Sequence, residues 1–304
     1  MLDKKLLSTL SAAGFGDRLL FDSALARRTW FQVGGNADIF FMPQDIQDLQ
    51  KFLHLIPHDM FVLPIGMASN LLVRDGGVRG AVIKLGQGFQ HLSYDNGLIM
   101  AGAGVRDVNL AQFALQKNVM GFEFYTGIPG SVGGAVMMNA GCFGGETCDI
   151  LHHADIITRQ GEYLTLQNSD LKFAYRHAEL PPQAICVAAY FNAKAGDAKT
   201  IRHKMAKLKE DKNNHQPMAV RTGGSTFKNP LPKHAWQLID AVGLRGYRVG
   251  GAMFSEKHCN FLLNDNHASA ADIEKLAELA IKLVYEKFHI HLEWEIKKVG
   301  EAMI

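Results

Sequence analysis

Three segments of the 304-residue sequence carry side chains suited to proton transfer and anion binding. In RTGGSTFKNP two glycines precede Ser225, whose hydroxyl could donate a proton or a hydrogen bond. In FAYRHAEL the guanidinium of Arg176 could hold an anionic substrate bidentately, and in LEWEIKKVGE one carboxyl group, that of Glu293 or Glu295, could serve acid–base chemistry. Judged singly, the three residues also fit structural interpretations: a turn serine, a surface arginine and a solvated strand-edge carboxylate.

Glycines define four loops in the first half of the chain. The richest is GIPGSVGGAVMMNAGCFGG at 127–145, and the others are VGG at 33–35, PIGMASN at 64–70 and AGAG at 101–104. Glycine permits positive φ angles, and successive backbone N–H groups can then curl around phosphate oxygens. A turn between strands is the alternative for any single loop. Four such loops favour a long ligand with several phosphate or ring contacts.

Several common motifs are missing from the sequence. It contains no GxxxxGK[ST] phosphate loop, and AGAGVRD lacks the third glycine of a Rossmann GxGxxG. The GxSxG elbow of a serine hydrolase is absent around Ser225, because residue 227 is Phe. The 13 histidines include pairs but no HExxH or zinc-finger pattern, so we predict no metal site. A dinucleotide site in this chain must therefore be of another kind.

Composition and charge exclude several broad classes of protein. Lys and Arg number 32 against 30 Asp and Glu, and this net charge of +2 favours no nucleic-acid partner. Hydrophobic residues make up 47% of the chain, which supports a packed core rather than intrinsic disorder. The N-terminus lacks the apolar core of a signal peptide, and no run approaches the ~18 apolar residues of a membrane span. With four cysteines lacking disulfide-type spacing, the expected location is the cytoplasm.

The periodicity of apolar residues predicts the elements that position these segments. Helices are predicted at 44–56, 107–117, 201–213, 235–242 and from Ser269 onwards. Asp107 is a possible N-cap, and Ser269 with Asp272 forms a capping-box pattern. Strands are predicted at 61–65, 71–73, 81–85, in several runs between 150 and 192, and at 291–299. The predicted fold class is α+β, with a domain boundary near 195–200.

Taken together, the segments resemble the UDP-N-acetylenolpyruvoylglucosamine reductase (MurB) family over nearly the whole chain. The blocks PIGMASNLLVRDGG, GIPGSVGGAVMMNAG, FAYRHAEL, GGSTFKNP, GYRVGGAMFSEKHCNFLLN and LEWEIKKVGE occur in the family's order. The resemblance implies an α+β protein with a two-subdomain FAD-binding fold of the vanillyl-alcohol-oxidase (PCMH) type and a C-terminal α+β substrate domain. The implied domains are residues 1–90 and 91–196 for FAD and 197–304 for the substrate.

The resemblance also implies the family's reaction and its site residues. NADPH would be the reductant and non-covalent FAD the cofactor in reducing UDP-N-acetylglucosamine enolpyruvate to UDP-N-acetylmuramate for peptidoglycan. By motif match, Arg176 would be the cation, Ser225 the proton donor to the α-carbon and Glu295 a stabiliser of the enolic intermediate. Tyr175 and Asn229 would contact the substrate. The residues implied to bind FAD are Gly66, Met67, Ala68, Ser69, Asn70, Gly127, Ile128, Pro129, Gly130, Ser131, Gly133, Gly134 and Ala135.

Three positions depart from the family's usual pattern. Ala68 replaces the second glycine of GxGSN, Ala178 replaces the serine of YRxS, and Lys212 replaces an arginine. Two rival hypotheses remain beside the family's activity. A different flavin oxidase of the same fold would lack the Ser225 and Glu295 blocks. A non-catalytic sugar-nucleotide or flavin-binding module would tolerate loss of all three implied catalytic residues.

Overall fold

Capping residues and apolar periodicity set the helices of the computed structural model, which describes residues 2–303. Ser269 Oγ accepts the Asp272 N–H at 3.0 Å and Asp272 Oδ2 accepts the Ser269 N–H at 3.0 Å, which confirms the predicted capping box. The α-helices of these residues are α1 (Lys4–Ala12), α2 (Ile46–Leu55), α3 (Asp107–Gln116), α4 (Val132–Met137), α5 (Ala198–His215), α6 (Ala235–Ala241) and α7 (Ala270–Phe288).

Short strands fill much of the remaining described chain. They are β1 (Leu19–Ala24), β2 (Asn36–Phe41), β3 (Val62–Ile65), β4 (Leu71–Val73), β5 (Val78–Lys84), β6 (Leu92–Asp95), β7 (Leu98–Gly102), β8 (Val119–Met120), β9 (Gly141–Cys142), β10 (Gly145–Glu146), β11 (Leu151–Ile157), β12 (Tyr163–Gln167), β13 (Ile185–Asn192), β14 (Lys194–Ala195), β15 (Thr222–Ser225), β16 (Arg248–Val249), β17 (Ala252–Phe254), β18 (Phe261–Asn264) and β19 (Lys297–Val299). Helices and strands are thus mixed along the chain, as an α+β class predicts.

The chain divides into two units, each assembled from separate segments. Unit 1 consists of Met1–Phe21, Asp38–Met67 and Gly80–Lys212, and unit 2 consists of Asp22–Ala37, Ala68–Arg79 and Asn213–Ile304. The three-domain division at residues 90 and 196 stays a prediction. None of the helices within residues 2–303 combines the length and apolar character needed to cross a membrane.

Unit 1 contains two hydrophobic cores. Helix α2 and the parallel pair β3–β5 contribute Leu49 and Val62 to the first core. The second core contains Leu110 of α3, Val132 of α4 and Phe191 of β13. Strand β13 is central to an antiparallel sheet of order β12-β11-β13-β7-β6. Because α3 and α4 share this core, the loops that lead into both helices are anchored on a packed layer.

Unit 2 is built on an antiparallel sheet of order β15-β18-β17-β16. Leu262 of β18, Ile239 of α6 and Leu276 of α7 share its core. Strands β4 and β19 form a separate parallel pair, with Leu71 opposite Lys297. The unit therefore joins a segment near residue 70 to the C-terminal end of the chain.

The predicted strand at 291–299 is wrong over most of its length, because only β19 is a strand. The preceding residues are held instead by separate backbone hydrogen bonds to another segment. The Lys228 N–H donates to Glu293 O at 2.9 Å, and the Glu295 N–H donates to Thr226 O at 2.8 Å. These contacts fix the path of the chain without a regular strand ladder.

Candidate active site

The 127–135 loop uses several of its own N–H groups within unit 1. Those of Ile128, Gly133 and Ala135 donate to backbone carbonyls at 2.9–3.2 Å. A Cβ atom at Gly133 would lie 2.8 Å from the Ala103 side chain, so glycine is required for this close packing. The N–H groups that remain for the predicted phosphate site are therefore those of the other residues of the loop.

The two loops predicted to hold a cofactor meet at Gly66 and Ser131 in unit 1. A Cβ atom at Gly66 would overlap Ser131 Oγ, so only glycine allows this approach. Ser131 Oγ is buried, as is Thr126 Oγ1, and no described residue hydrogen-bonds to either hydroxyl. Buried hydroxyls almost always have partners in native proteins. Both hydroxyls are enclosed by protein atoms, so the feature of this region that supports the predicted FAD site is the close approach of the two glycine loops.

Ala68 adopts a backbone conformation that favours glycine. Its φ angle is +51°, in the left-handed region, and its carbonyl accepts the Trp30 N–H at 3.3 Å. This conformation costs a residue with a Cβ atom about 1–2 kcal/mol. The family's usual glycine at this position therefore has a conformational reason, and the alanine of this chain retains the strained backbone.

Asn70, predicted to contact the cofactor, supports the segment that carries Glu295 in unit 2. Asn70 Nδ2 donates to Glu295 O at 3.2 Å, and Asn70 O accepts the Lys297 N–H at 3.1 Å. The two bonds bracket the backbone on both sides of Ile296. Asn70 therefore positions Glu295 through its backbone.

Ser225 ends β15 at an irregularity in the sheet. It pairs with Phe261, and the register shifts between Thr222 and Ser225. Gly224 supplies the turn with a φ angle of +80°, a conformation in which glycine has no steric penalty. The irregularity leaves the half-buried Ser225 at the end of the ladder, where its side chain can be directed differently from a regular strand residue.

Asn260 is a supporting residue that the sequence interpretation missed. It is 3% exposed, and its side chain makes two hydrogen bonds to the backbone of Phe227. Asn260 Oδ1 accepts the Phe227 N–H at 3.0 Å, while Asn260 Nδ2 donates to Phe227 O at 2.8 Å. The Thr226 N–H also donates to Asn260 O at 2.7 Å. The sequence signal that could have identified Asn260 was its place in the CNFLLN block.

The structure brings the backbones of Ser225 and Glu295 together in unit 2. The bond from the Glu295 N–H to Thr226 O, at 2.8 Å, joins Glu295 to the residue after Ser225. Asn229 lies four residues after Ser225, and its Oδ1 accepts the Ala235 N–H at 3.0 Å. Asn229 therefore contributes to the start of α6, which leaves its Nδ2 as the group for any substrate contact.

Arg176 belongs to unit 1, on a tight turn next to Tyr175. Two bonds of 3.0 Å between Ala174 and His177 close the turn, and Arg176 has a φ angle of +56°. Its guanidinium donates to Gly141 O at 2.9 Å and lies 5.1 Å from the centre of the Tyr175 ring. The two bonds hold Arg176 in a left-handed conformation that is uncommon for a residue with a Cβ atom. The half-buried guanidinium is thus fixed by the protein itself.

Lys212 adds a second cation near Arg176 in unit 1. Its Nζ donates to Gly127 O at 2.8 Å, and burial lowers its pKa. Burial raises the pKa of the Cys142 thiol to about 11, although Lys212 and Arg176 both act to lower it. Cys142 is therefore a neutral, weakly nucleophilic thiol at neutral pH. The two cations give this region a positive field suited to an anionic ligand.

Two family models match the chain. Residues 216–299 match the UDP-N-acetylenolpyruvoylglucosamine reductase C-terminal domain, and residues 37–167 match the FAD binding domain. The chain is 47% identical to UDP-N-acetylenolpyruvoylglucosamine reductase of Acidiphilium cryptum, covering 93% of this chain and 92% of that protein. It is 46% identical to the protein of the same name from Parvibaculum lavamentivorans, covering 93% and 91%.

A solved structure has the same fold. The UDP-N-acetylenolpyruvylglucosamine reductase of Thermus caldophilus superposes with a TM-score of 0.80 at 33% identity, covering 93% of this chain and 98% of that chain. Together with the FAD binding match, this confirms the predicted fold class, an α+β FAD-binding fold of the vanillyl-alcohol-oxidase type with a C-terminal α+β domain.

Proposed function

The chain belongs to the UDP-N-acetylenolpyruvoylglucosamine reductase family, and on this premise we propose that it reduces UDP-N-acetylglucosamine enolpyruvate to UDP-N-acetylmuramate for peptidoglycan. NADPH is the reductant, FAD is bound without a covalent link, and the reaction takes place in the cytoplasm. The observation that carries the proposal is 47% identity across 93% of the chain to a relative of that name. The retention of Arg176, Ser225 and Glu295 supports it.

FAD, when bound, supplies two-electron hydride chemistry. The loops around Gly66 and Gly130 are the proposed binding elements, supported by the close approach of the two loops at Gly66 and Ser131. The N–H groups not used within the protein bind pyrophosphate oxygens in this proposal. We assign residues 1–90 and 91–196 to FAD binding and residues 197–304 to substrate binding.

Arg176 is the proposed cation for the substrate's developing charge. Once the methylene carbon of the enolpyruvyl group has accepted a hydride, negative charge spreads over an enediolate that includes the carboxylate. A guanidinium fixed in advance stabilises this charge without reorganising, and its hydrogen bonds strengthen as the charge grows. The bond to Gly141 O and the contact with Tyr175 support such fixation. Tyr175, 42% exposed, is the proposed substrate contact beside it.

Ser225 and Glu295 complete the reduction in this proposal. The Ser225 hydroxyl gives its proton to the α-carbon, so that a C–H bond forms as the serine O–H bond breaks. Glu295 stabilises the enolic form before the proton arrives. Their backbones are joined through Thr226, and Asn70 and Asn260 hold the two segments. A donor placed in this way needs little rearrangement to act as a general acid.

Two measurements on the purified protein test the proposal. The protein should carry the yellow colour of FAD, and acid precipitation should release all the flavin into solution. NADPH oxidation should be slow alone and should rise when UDP-N-acetylglucosamine enolpyruvate is added. Binding of FAD and the sugar nucleotide without any NADPH oxidation would instead identify a binding module. Flavin with rapid oxygen consumption, unaffected by the sugar nucleotide, would identify a different flavin oxidase.

A further inference from the structure

Asn139 is a buried asparagine that the proposed mechanism does not use. It is the second residue after α4 and is 1% exposed. Its φ angle is +46°, a left-handed conformation that asparagine adopts more readily than most residues with a Cβ atom. A buried amide needs partners for both its nitrogen and its oxygen, and the structure supplies them.

The amide of Asn139 joins two separate segments of unit 1. Its Nδ2 donates to Ala174 O at 3.2 Å and to Glu146 Oε2 at 2.7 Å, and its Oδ1 accepts the Cys148 N–H at 3.0 Å. Glu146 and Cys148 belong to residues 141–148, in which β9 and β10 pair and which we call the 141–148 hairpin. Ala174 lies 35 positions after Asn139. One side chain therefore connects this hairpin to a distant part of the chain.

Ala174 is the first residue of the turn that carries Arg176. Its carbonyl accepts the His177 N–H at 3.0 Å, and its N–H donates to His177 O at 3.0 Å. A carbonyl oxygen has two lone pairs, so Ala174 O can accept the bond that closes the turn and the bond from Asn139 together. Asn139 thus bonds directly to the backbone from which the Arg176 side chain extends.

The guanidinium end of Arg176 is bonded to the 141–148 hairpin. Arg176 Nη2 donates to Gly141 O at 2.9 Å, and Gly141 lies opposite Glu146 in the β9–β10 pair. A Cβ atom at Gly141 would lie 2.7 Å from the Glu146 side chain, so the two strands pack closely there. The backbone and the guanidinium of Arg176 are therefore held by two segments that the Asn139 amide joins.

We propose that Asn139 is a positioning residue for Arg176. By holding the 174–177 turn to the 141–148 hairpin, it aligns the guanidinium with the charge that develops on the substrate. The inference rests on the proposed function, in which Arg176 stabilises the enediolate. A cation fixed in advance stabilises such charge without reorganising, and a displacement of about 1 Å can cost roughly 100-fold in rate. Asn139 acts in this way without touching the substrate or FAD.

A double-mutant cycle with Arg176→Ala tests whether Asn139 acts through Arg176. Asn139→Gly removes the amide, and glycine adopts the positive φ angle without strain. Stopped-flow absorbance of the FAD-loaded protein measures reoxidation of the reduced flavin by UDP-N-acetylglucosamine enolpyruvate. We expect Asn139→Gly to slow reoxidation by roughly 10–100-fold and to leave flavin reduction by NADPH within about threefold of the wild type. Added to Arg176→Ala, it should slow reoxidation by less than about threefold further.

Asn168→Gly is the matched control for the loss of a structural amide. Asn168 Nδ2 donates to Cys148 O at 2.9 Å and to Leu151 O at 2.8 Å, rather than to the turn of Arg176. Both glycine variants should lose stability in urea titrations, because each loses the hydrogen bonds of its amide. Asn168→Gly should nevertheless reoxidise within about threefold of the wild type. Asn139→Gly that behaves like this control overturns the inference.

The cycle has further outcomes that contradict the inference. Equal slowing by Asn139→Gly in the wild type and in Arg176→Ala would show that Asn139 does not act through Arg176. Normal reoxidation in Arg176→Ala overturns the inference while the reaction itself stands. A wild type that is not reoxidised by the sugar nucleotide overturns the proposed function, and the inference with it.

A second variant decides the question if Asn139→Gly does not fold. Asn139→Asp has nearly the same shape and keeps an acceptor for the Cys148 N–H, but its ionised carboxylate cannot donate to Ala174 O. The same cycle with Asn139→Asp, at about pH 8 where a carboxyl group is ionised, should give the same non-additive slowing of reoxidation. Additive slowing, or a normal rate, overturns the inference.

Discussion

The segment that carries Ser225 and the loop that carries Gly130 differ in how fully the protein satisfies their polar groups. Around Ser225, the Asn260 side chain bonds both polar groups of the Phe227 backbone. Around Gly130, the side-chain oxygens of Asp107, Thr126 and Ser131 are left unmatched by the described residues. The first region is thus held by side-chain hydrogen bonds within the protein, whereas the second encloses oxygens that lack such bonds among the described residues.

This difference separates two kinds of local support. A group that must act on a short-lived charge benefits from a support fixed before the substrate arrives. The Asp107 carboxyl next to Gly130 is instead buried with no cation among the described residues beside it, and it is not the predicted N-cap of α3, because Arg106 occupies that position. Variants in the Ser225 segment should therefore affect catalysis and global stability, whereas variants of Asp107 should change the pH dependence of stability.

The largest expected effect is that of Ser225→Ala on the second half of the reaction. Loss of the proposed proton donor should slow oxidation of the reduced flavin by the enolpyruvyl substrate by roughly 10²–10⁴-fold, about 3–5 kcal/mol of barrier. Reduction of the flavin by NADPH should stay near normal, because it requires no proton from Ser225. Stopped-flow absorbance measures the two half-reactions separately.

Two further variants test whether the same half-reaction depends on the other two proposed catalytic residues. Glu295→Gln should slow the same half-reaction, and Arg176→Ala should slow it with an added loss of substrate binding. The exposed Ser169, changed to alanine, is the matched control and should leave both half-reactions unchanged. Slower reduction by NADPH in Ser225→Ala, with normal reoxidation, would show that Ser225 is a turn residue rather than a proton donor.

Asn260→Ala should produce the next largest effect, on stability. It leaves the buried N–H and C=O groups of Phe227 without partners, and each such loss costs about 1–3 kcal/mol. We expect the free energy of unfolding to fall by roughly 2–5 kcal/mol in urea titrations. Asn213→Ala, at an exposed position, is the control and should change it by less than about 0.5 kcal/mol. A similar small change in Asn260→Ala would contradict a preorganised Ser225 segment.

The pH dependence of apoprotein stability should reveal whether Asp107 is protonated in the folded state. Because burial raises its pKa in the folded state, the folded protein holds a proton that the unfolded chain releases above about pH 4. The contribution of the Asp107 carboxyl to the free energy of unfolding is therefore largest below that pH. It declines by roughly 1.4 kcal/mol per pH unit until the folded-state pKa is reached. Urea titrations between about pH 5 and pH 7 should show this decline in wild type and a shallower one in Asp107→Asn. Equal slopes would mean that Asp107 is already ionised.

The smallest expected effect is a gain in stability from Ala68→Gly. Glycine removes the cost of the left-handed conformation at φ +51°, so the free energy of unfolding should rise by up to about 1 kcal/mol. Ala13→Gly is the matched control, because Ala13 has a φ angle of −75° and should lose stability through the greater freedom of the unfolded chain. A loss in both variants would show that the Ala68 side chain packs more favourably than its backbone is strained.

Local features were predictable from the sequence, and features that depend on distant partners were not. The capping box at Ser269 depends on neighbouring residues, and the strand at 71–73 is marked by its own apolar run although its partner β19 lies near the end of the chain; both predictions are confirmed. The prediction at 291–299 was wrong over most of its length because Glu293 and Glu295 make separate backbone bonds to the 226–228 segment instead of a continuous ladder, and the alternation of side chains does not reveal this.

Supporting residues of the site were the hardest to predict. Asn260 acts on Phe227 across 33 positions of sequence, and no local pattern indicates that pairing. The unmatched hydroxyl of Thr126 and the buried carboxyl of Asp107 depend on the packing around the 127–135 loop. The implied catalytic residues could be proposed earlier because their sequence blocks are distinctive, although their roles stay predictions.

A single-turnover experiment tests the central claim most directly. The bound flavin is reduced with NADPH without oxygen, the nucleotide products are removed, and UDP-N-acetylglucosamine enolpyruvate is added. We expect the flavin absorption to return at once and one UDP-N-acetylmuramate, heavier than the substrate by two hydrogen atoms, to form per flavin. Flavin that stays reduced until oxygen is admitted, with the sugar nucleotide recovered unchanged, would contradict it.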